Sequence, residues 1–192
     1  MARKVAEVFS ANDIKVYIYS NLRSTPQLSF TVKHLKAQCG IVLTASHNPP
    51  QYNGYKVYWE DGGQIVPPQD IEIIDQIKKT KFVNILSKPK ESLIEIISDD
   101  LDKAFVKTSV KLGKLKLKSR ANFKIIFTSL HGTSITLIPD VLKRAGFNNV
   151  HIVEEQRVPD GNFPTVESPN PEETKALEMA LKLGNKVNAD IV

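Results

Sequence analysis

One cysteine, Cys39, is all that 192 residues contain. An internal disulfide is therefore excluded, and a reducing compartment fits. Cys39 opens an apolar stretch, where a small buried hydrophobe is the expected role. No apolar run approaches the roughly 20 residues that a membrane-spanning helix needs. No charged-then-apolar leader opens the chain either, so a cytoplasmic location and no membrane partner are expected. Aromatic residues make up 7% of the chain and are absent from its most basic stretch, "KTSVKLGKLKLKSR" (107–120), which carries much of the net charge of +5. There the lysines alternate with Leu112, Leu115 and Leu117, as on a solvated face beside a packed one, and no nucleic-acid partner is expected. "GGQ" and "HGT" match neither a dinucleotide fingerprint nor a phosphate-binding Walker loop. No acidic residue stands at triad-like spacing from a serine–histidine pair.

What is present is an ordinary globular composition, 41% hydrophobic and 24% charged, arranged as alternating helices and strands. Residues 1–12 read as a helix with Val5, Val8 and Phe9 on one stripe. "IKVYIY" (14–19) is β-branched and aromatic, hence a strand. Ser24 or Thr25 can cap the next helix, Pro26 suits its first turn, and Leu28, Val32 and Leu35 line a face. "GIVLT" (40–44) is short and continuously apolar, which predicts a parallel strand buried on both sides. Asn53-Gly54 marks a tight turn, followed by a strand through Tyr55–Tyr58, a second turn at Asp61-Gly62-Gly63 and a short return strand. "PPQDIEIIDQIKKT" predicts a helix along Ile71, Ile74 and Ile77. A strand at 93–98 and a helix with acids first and lysines later close this half.

The pattern then restarts. "FKIIFTS" is a strand, "HGTSITLIPDVLKRAG" a loop into a helix ending at Gly146, and "NVHIVE" a strand. A proline-rich loop follows, then a helix with Leu177, Ala180, Leu181 and Gly184 on one side, then "ADIV", a strand at its start. The reading is a first α/β unit over 1–105, a linker over 106–121 and a second, βαβαβ unit over 122–192, whose serine loop and His131 face one cleft. The opening helix and closing strand are the features expected of a fragment.

The chemistry concentrates in "GIVLTASHNPPQYNGYKVYWEDGGQIVPP" (40–68). In open parallel sheets ligands sit beyond the carboxyl ends of the strands. Ser46 falls at such an end, where a hydroxyl can act as a nucleophile if a neighbour takes its proton or stabilises charge. His47, Lys56 or a metal could do so. Asn48-Pro49-Pro50 makes a stiff exit that would hold the hydroxyl in one place. The plainer alternative is a solvated Ser-His pair. His131 and Gly132 also stand at a strand end; they either line the cleft or form a backbone turn, with Gly132 chosen for its dihedrals. His34, on a helix, and His151, on a strand, read as structural or surface residues. Trp59 ends a strand and has no assigned role.

"TASHNPPQYNGYKVYWEDGGQ" resembles the serine loop of the α-D-phosphohexomutases, the phosphoglucomutase/phosphomannomutase family. A second resemblance, "LHGT" after a strand and then "PDGNFPTVESPNPEE", is to the second domain of the same family. "YWEDGGQI" and "FPTVESPNPEE" are more similar to the phosphoglucomutase and phosphopentomutase branch. The resemblance covers most of domain one and the start of domain two. It implies two three-layer α/β/α units with mixed, mainly parallel sheets. It implies that Ser46 carries a phosphate exchanged with a phosphosugar, glucose 1-phosphate and 6-phosphate or their mannose equivalents, through a bisphosphate intermediate. A Mg²⁺ ion would contact a Ser46 phosphate oxygen. His47 would hydrogen-bond the phosphate or position the loop, and Lys56 would stand near the transferring group. The family's Asp-x-Asp-x-Asp metal loop, sugar-reading loop and distal phosphate clamp do not occur in this sequence. The chain alone is therefore expected to be inactive. A binding module that retained the serine loop is the alternative.

Overall fold

The computed structural model describes residues 1–113 and 120–192. The chain divides into two compact units, one of Met1–Thr44 with Tyr55–Leu101, the other of Ala45–Gly54 with Asp102–Val192. The fold is mixed α/β with short sheets, two of the three parallel.

The first unit opens with α1 (Ala2–Ala11) and β1 (Val16–Ile18). The helix buries Ala6, Ser10 and Ala11 and leaves Val8 exposed, so its inner face is rotated from the Val5–Val8–Phe9 stripe. The rotation has a polar cause: Ser10 Oγ accepts the backbone N–H of Lys90 at 3.2 Å and donates to the Glu7 carbonyl at 2.9 Å. Strand β1 pairs in parallel with β4 (Ile94–Ile96). Lys15 and Glu95 tie the two together at 2.9 Å, and this hydrogen bond holds the Lys15 ammonium above its usual range.

Helix α2 (Thr25–Leu35) starts at Ser24 with proline in its first turn, although Ser24 makes no side-chain capping bond. It packs on β2 (Cys39–Leu43) across Gly40. A Cβ on Gly40 would stand 2.5 Å from Val32 Cγ2, so the close approach of helix and strand requires glycine there. Strand β2 departs from the expectation. It pairs antiparallel with β3 (Tyr55–Trp59), with Val42 opposite Lys56, and all five of its residues are half-buried. The reason is the Asn53-Gly54 reversal, which returns the chain alongside the strand it has just left. Partial burial pushes the Cys39 thiol above its usual range.

The Asp61-Gly62-Gly63 turn forms as predicted, with Gly62 at φ 81° and the Gly63 N–H donated to Asp61 Oδ1 at 2.7 Å. The return strand shrinks to one bridge, Tyr58 to Gln64. Helix α3 (Gln69–Lys79) is present, but it buries no residue, and Ile71, Ile74 and Ile77 are all exposed.

Helix α4 (Asp99–Leu112) has Asp99 and Asp100 at its start and Lys111 in its last turn, the order that the helix dipole favours. It extends through the first half of the 106–121 segment. The rest of that segment, with much of the basic tract, includes residues 114–119, which lie outside the described residues.

In the second unit β5 (Lys124–Phe127) and β6 (Asn149–Ile152) pair in parallel, with α5 (Ile138–Arg144) between them. Ile191 adds a parallel bridge to Ile125, where a third strand was predicted. The core is Ile126, Val153 and Ala180, packed against Met179, Leu183, Val187 and Ala189. Helix α6 (Glu178–Val187) supplies most of it, burying Ala180 and Gly184, whereas Leu181 is exposed. Lys124 Nζ donates to the Val187 carbonyl at 2.7 Å, placing a cation at the negative end of α6.

Candidate active-site loop

The loop between β2 and β3 is two consecutive turns. The Asn48 N–H donates to the Ala45 carbonyl at 3.2 Å, and the Tyr52 N–H to the Pro49 carbonyl at 3.0 Å. The Gly54 N–H donates to Asn53 Oδ1 at 2.8 Å, which sets the entry to β3. The prolines leave little freedom between the turns. Residues 45–54 group with the second unit although both flanking strands belong to the first.

Ser46 lies in the first turn, outside any helix, and is exposed. Its φ is 60°, in the left-handed region. A residue with a Cβ seldom adopts that conformation, and such residues gather at functional sites. Its Oγ is 3.3 Å from His47 Nδ1. The hydroxyl is thus presented to solvent beside an exposed imidazole. Lys56 lies on β3 opposite Val42 and is half-buried. In chemical terms the segment offers an accessible nucleophilic oxygen, a neighbouring ring nitrogen and, on the adjoining strand, an ammonium.

The described residues do not offer a Mg²⁺ site. Among them no three histidine, cysteine, aspartate or glutamate side chains converge, and a hard cation wants about six oxygen ligands, carboxylates among them. Asp61, close in sequence, is engaged in its own turn.

His131 falls in the same unit as the serine loop. It is 5% exposed. Its Nδ1 lies 3.0 Å from the Val158 carbonyl and its Nε2 2.9 Å from Thr165 Oγ1. Gly132 has φ −89°, open to any residue, so its dihedrals do not explain it. Close approach does: a Cβ there would stand 2.8 Å from the Ser129 carbonyl oxygen. The left-handed backbone falls instead on Leu130 and His131. His34 stacks on Phe30 at 5.2 Å, and His151 Nε2 lies 2.9 Å from Asn149 Oδ1, both within their own elements. Gln156, fully buried, and Thr165 complete a polar cluster around His131. Nothing in the sequence marks these two within a proline-rich loop.

Among the described residues no helix is long and apolar enough to cross a membrane.

Residues 1–84 match the family model described as Phosphoglucomutase/phosphomannomutase, alpha/beta/alpha domain I. Residues 103–192 match that of domain II. A phosphoglucomutase of Staphylococcus epidermidis is 37% identical over 197 residues, which take in 100% of this chain and 36% of that protein. A probable phosphomannomutase of Haemophilus influenzae is 34% identical over 194 residues, 100% of this chain and 39% of the relative. The solved structure of a phosphomannomutase from Thermus thermophilus superposes with a TM-score of 0.73 at 28% identity, over 95% of this chain and 39% of that one. The chain thus spans little more than a third of the length of these relatives. With both domain models matched in order and nearly all residues accounted for, the chain belongs to the phosphoglucomutase/phosphomannomutase family.

Proposed function

We propose that these residues are the serine-bearing part of a phosphoglucomutase-type enzyme that interconverts a sugar 1-phosphate and a sugar 6-phosphate. The observation that carries the reading is Ser46: an exposed hydroxyl, held in left-handed backbone between two turns, in the segment matched to the family's first domain. Ser46 is the phosphoryl carrier. A free hydroxyl of the sugar monophosphate attacks the phosphorus on Ser46. The bond from phosphorus to Ser46 Oγ breaks as the new sugar–phosphate bond forms, giving a bisphosphate. The attacking hydroxyl loses its proton, and Ser46 regains one. After the intermediate turns over, its other phosphate passes back to Ser46 by the reverse step. Catalysis of this kind rests on positioning and on neutralising charge at the phosphoryl oxygens. Two chemical roles follow for the neighbours: His47 hydrogen-bonds the phosphate or steadies the loop, and the Lys56 ammonium offsets charge during transfer. Mg²⁺ would serve as the Lewis acid in the longer polypeptide. Its carboxylate ligands come from outside the described residues, and no step here is routed through it.

The relatives bear both phosphoglucomutase and phosphomannomutase names, so glucose and mannose phosphates are the substrates to compare. The test is to incubate the longer polypeptide with ³²P-labelled glucose 1,6-bisphosphate. Label should appear on Ser46, and Ser46→Ala should abolish both the label and the turnover of glucose 1-phosphate. Turnover retained in Ser46→Ala would refute the assignment.

A further inference from the structure

The turn after β5 is held in an unfavourable backbone by an unusual number of polar ties. Leu130 and His131 both have positive φ, 46° and 58°. The Leu130 N–H donates to Thr128 Oγ1 at 3.0 Å, the His131 N–H to the Gln156 carbonyl at 3.0 Å, and the Gly132 N–H to the Ser129 carbonyl at 2.7 Å. Ser129 Oγ also donates to the Gln156 carbonyl, at 2.8 Å. From the other side, the Asp160 N–H donates to the His131 carbonyl at 3.0 Å. Strain of this kind persists only where the surroundings over-determine it, and it collects at functional sites.

The side chains form a second layer with one direction. The Val158 carbonyl can only accept, so His131 Nδ1 carries the proton of that bond. Thr128 Oγ1 donates to Gln156 Oε1 at 2.6 Å, which fixes the amide and leaves Gln156 Nε2 to donate to Thr165 Oγ1 at 3.1 Å. The Thr165 hydroxyl proton then goes to His131 Nε2. Every donor finds an acceptor when the imidazole bears its proton on Nδ1 and none on Nε2.

We propose that His131 is a positioning residue. Its ring and backbone clamp the segment 156–165 to the turn after β5, and so fix Asp160–Asn162 at the carboxyl edge of the parallel β5–β6 pair, where open α/β sheets bind their ligands. The proposal rests on the phosphosugar reading above: the clamped segment belongs to the substrate-binding face, and His131 itself touches no reacting group.

The first test uses the 192-residue chain and needs no activity. In ¹⁵N-labelled protein the His131 ring should show Nδ1 protonated and Nε2 bare; a proton on Nε2 overturns the network. In His131→Ala, amide exchange at Asp160, Phe163 and Val166 should quicken by about tenfold or more, while Ile126 and Val153 in the core stay protected. His131→Asn, which keeps a donor at the Nδ1 position, should restore most of the protection. Thr165→Val, an exposed site that leaves the core intact, should lose the tautomer preference. Unchanged loop amides, or equal acceleration in loop and core, would refute the clamp. The second test uses the longer polypeptide: Thr165→Val should raise KM for the sugar monophosphate about tenfold with kcat within about twofold and Ser46 labelling intact. A fall in kcat at constant KM refutes the substrate-face assignment. Absence of Ser46 label in the unsubstituted protein refutes the function proposed above, and the spectroscopic result then judges the clamp alone.

Discussion

At Ser46 the backbone has φ 60°, a conformation that costs a residue with a Cβ about 1–2 kcal/mol. Ser46→Gly should relieve that cost, whereas Ser46→Ala keeps it. Glycine is expected to stabilise the chain relative to alanine by about 1 kcal/mol, although both remove the hydroxyl. Urea denaturation of the two variants checks the difference, and equal midpoints would show that the turn stores no strain. Gly132→Ala should act in the opposite sense. Its Cβ would meet the Ser129 carbonyl at 2.8 Å, and relieving that overlap is expected to cost about 1–3 kcal/mol. The contrast bears on what a sequence can disclose. The Ser46 loop was legible because its polar pair and prolines are contiguous and chemically odd at the end of an apolar run. The reason for Gly132 was not, because it depends on a carbonyl three positions back folding onto the same spot. Gln156 and Thr165 were invisible for the same reason: what they do is set by partners distant in sequence.

Among the elements, the existence of helices followed from periodicity, while the face each buries did not. Periodicity says which side chains share a stripe, and only the neighbour decides whether that stripe meets anything. In α1 the small residues Ala6, Ser10 and Ala11 face inward because Ser10 meets a backbone N–H there. In α3 the isoleucine stripe is exposed, and in α6 the buried positions are the small Ala180 and Gly184 rather than Leu181. The antiparallel β2–β3 pairing has a local cause, the Asn53-Gly54 reversal, which the sequence did show; its consequence for strand direction was the part not drawn from it. Substitutions should follow this map. Ile74→Lys is expected to change stability by no more than about 0.5 kcal/mol, as an exposed site does. Ala180→Leu, at a site with 0% exposure between strand and helix, should cost about 1–3 kcal/mol by overpacking. Thermal unfolding of the two variants side by side separates the cases, and a large loss in Ile74→Lys would mean that the α3 stripe is covered in solution.

For the molecule as a whole, two family domains in order account for most of the chain, yet the described residues assemble no carboxylate cluster for a metal. The 192-residue chain is therefore expected to bind Mg²⁺ weakly and to show no measurable conversion of glucose 1-phosphate to glucose 6-phosphate, even with a bisphosphate activator. Calorimetric titration with Mg²⁺ and a coupled assay test both. Tight stoichiometric binding, or turnover that vanishes in Ser46→Ala, would mean that the chain carries a complete site. The exposed isoleucines of α3, with Phe82 at 88% and Val83 at 86% exposure just beyond them, also govern how the protein behaves at high concentration. Mutual repulsion from a net charge of +5 keeps such surfaces apart in dilute buffer. At about 0.1 M salt that repulsion reaches only some 10 Å, while sticking between apolar surfaces persists. Colloidal interactions should accordingly turn from repulsive to attractive as salt is added, and light scattering should record a second virial coefficient that falls through zero, later in Ile74→Lys than in the unsubstituted chain.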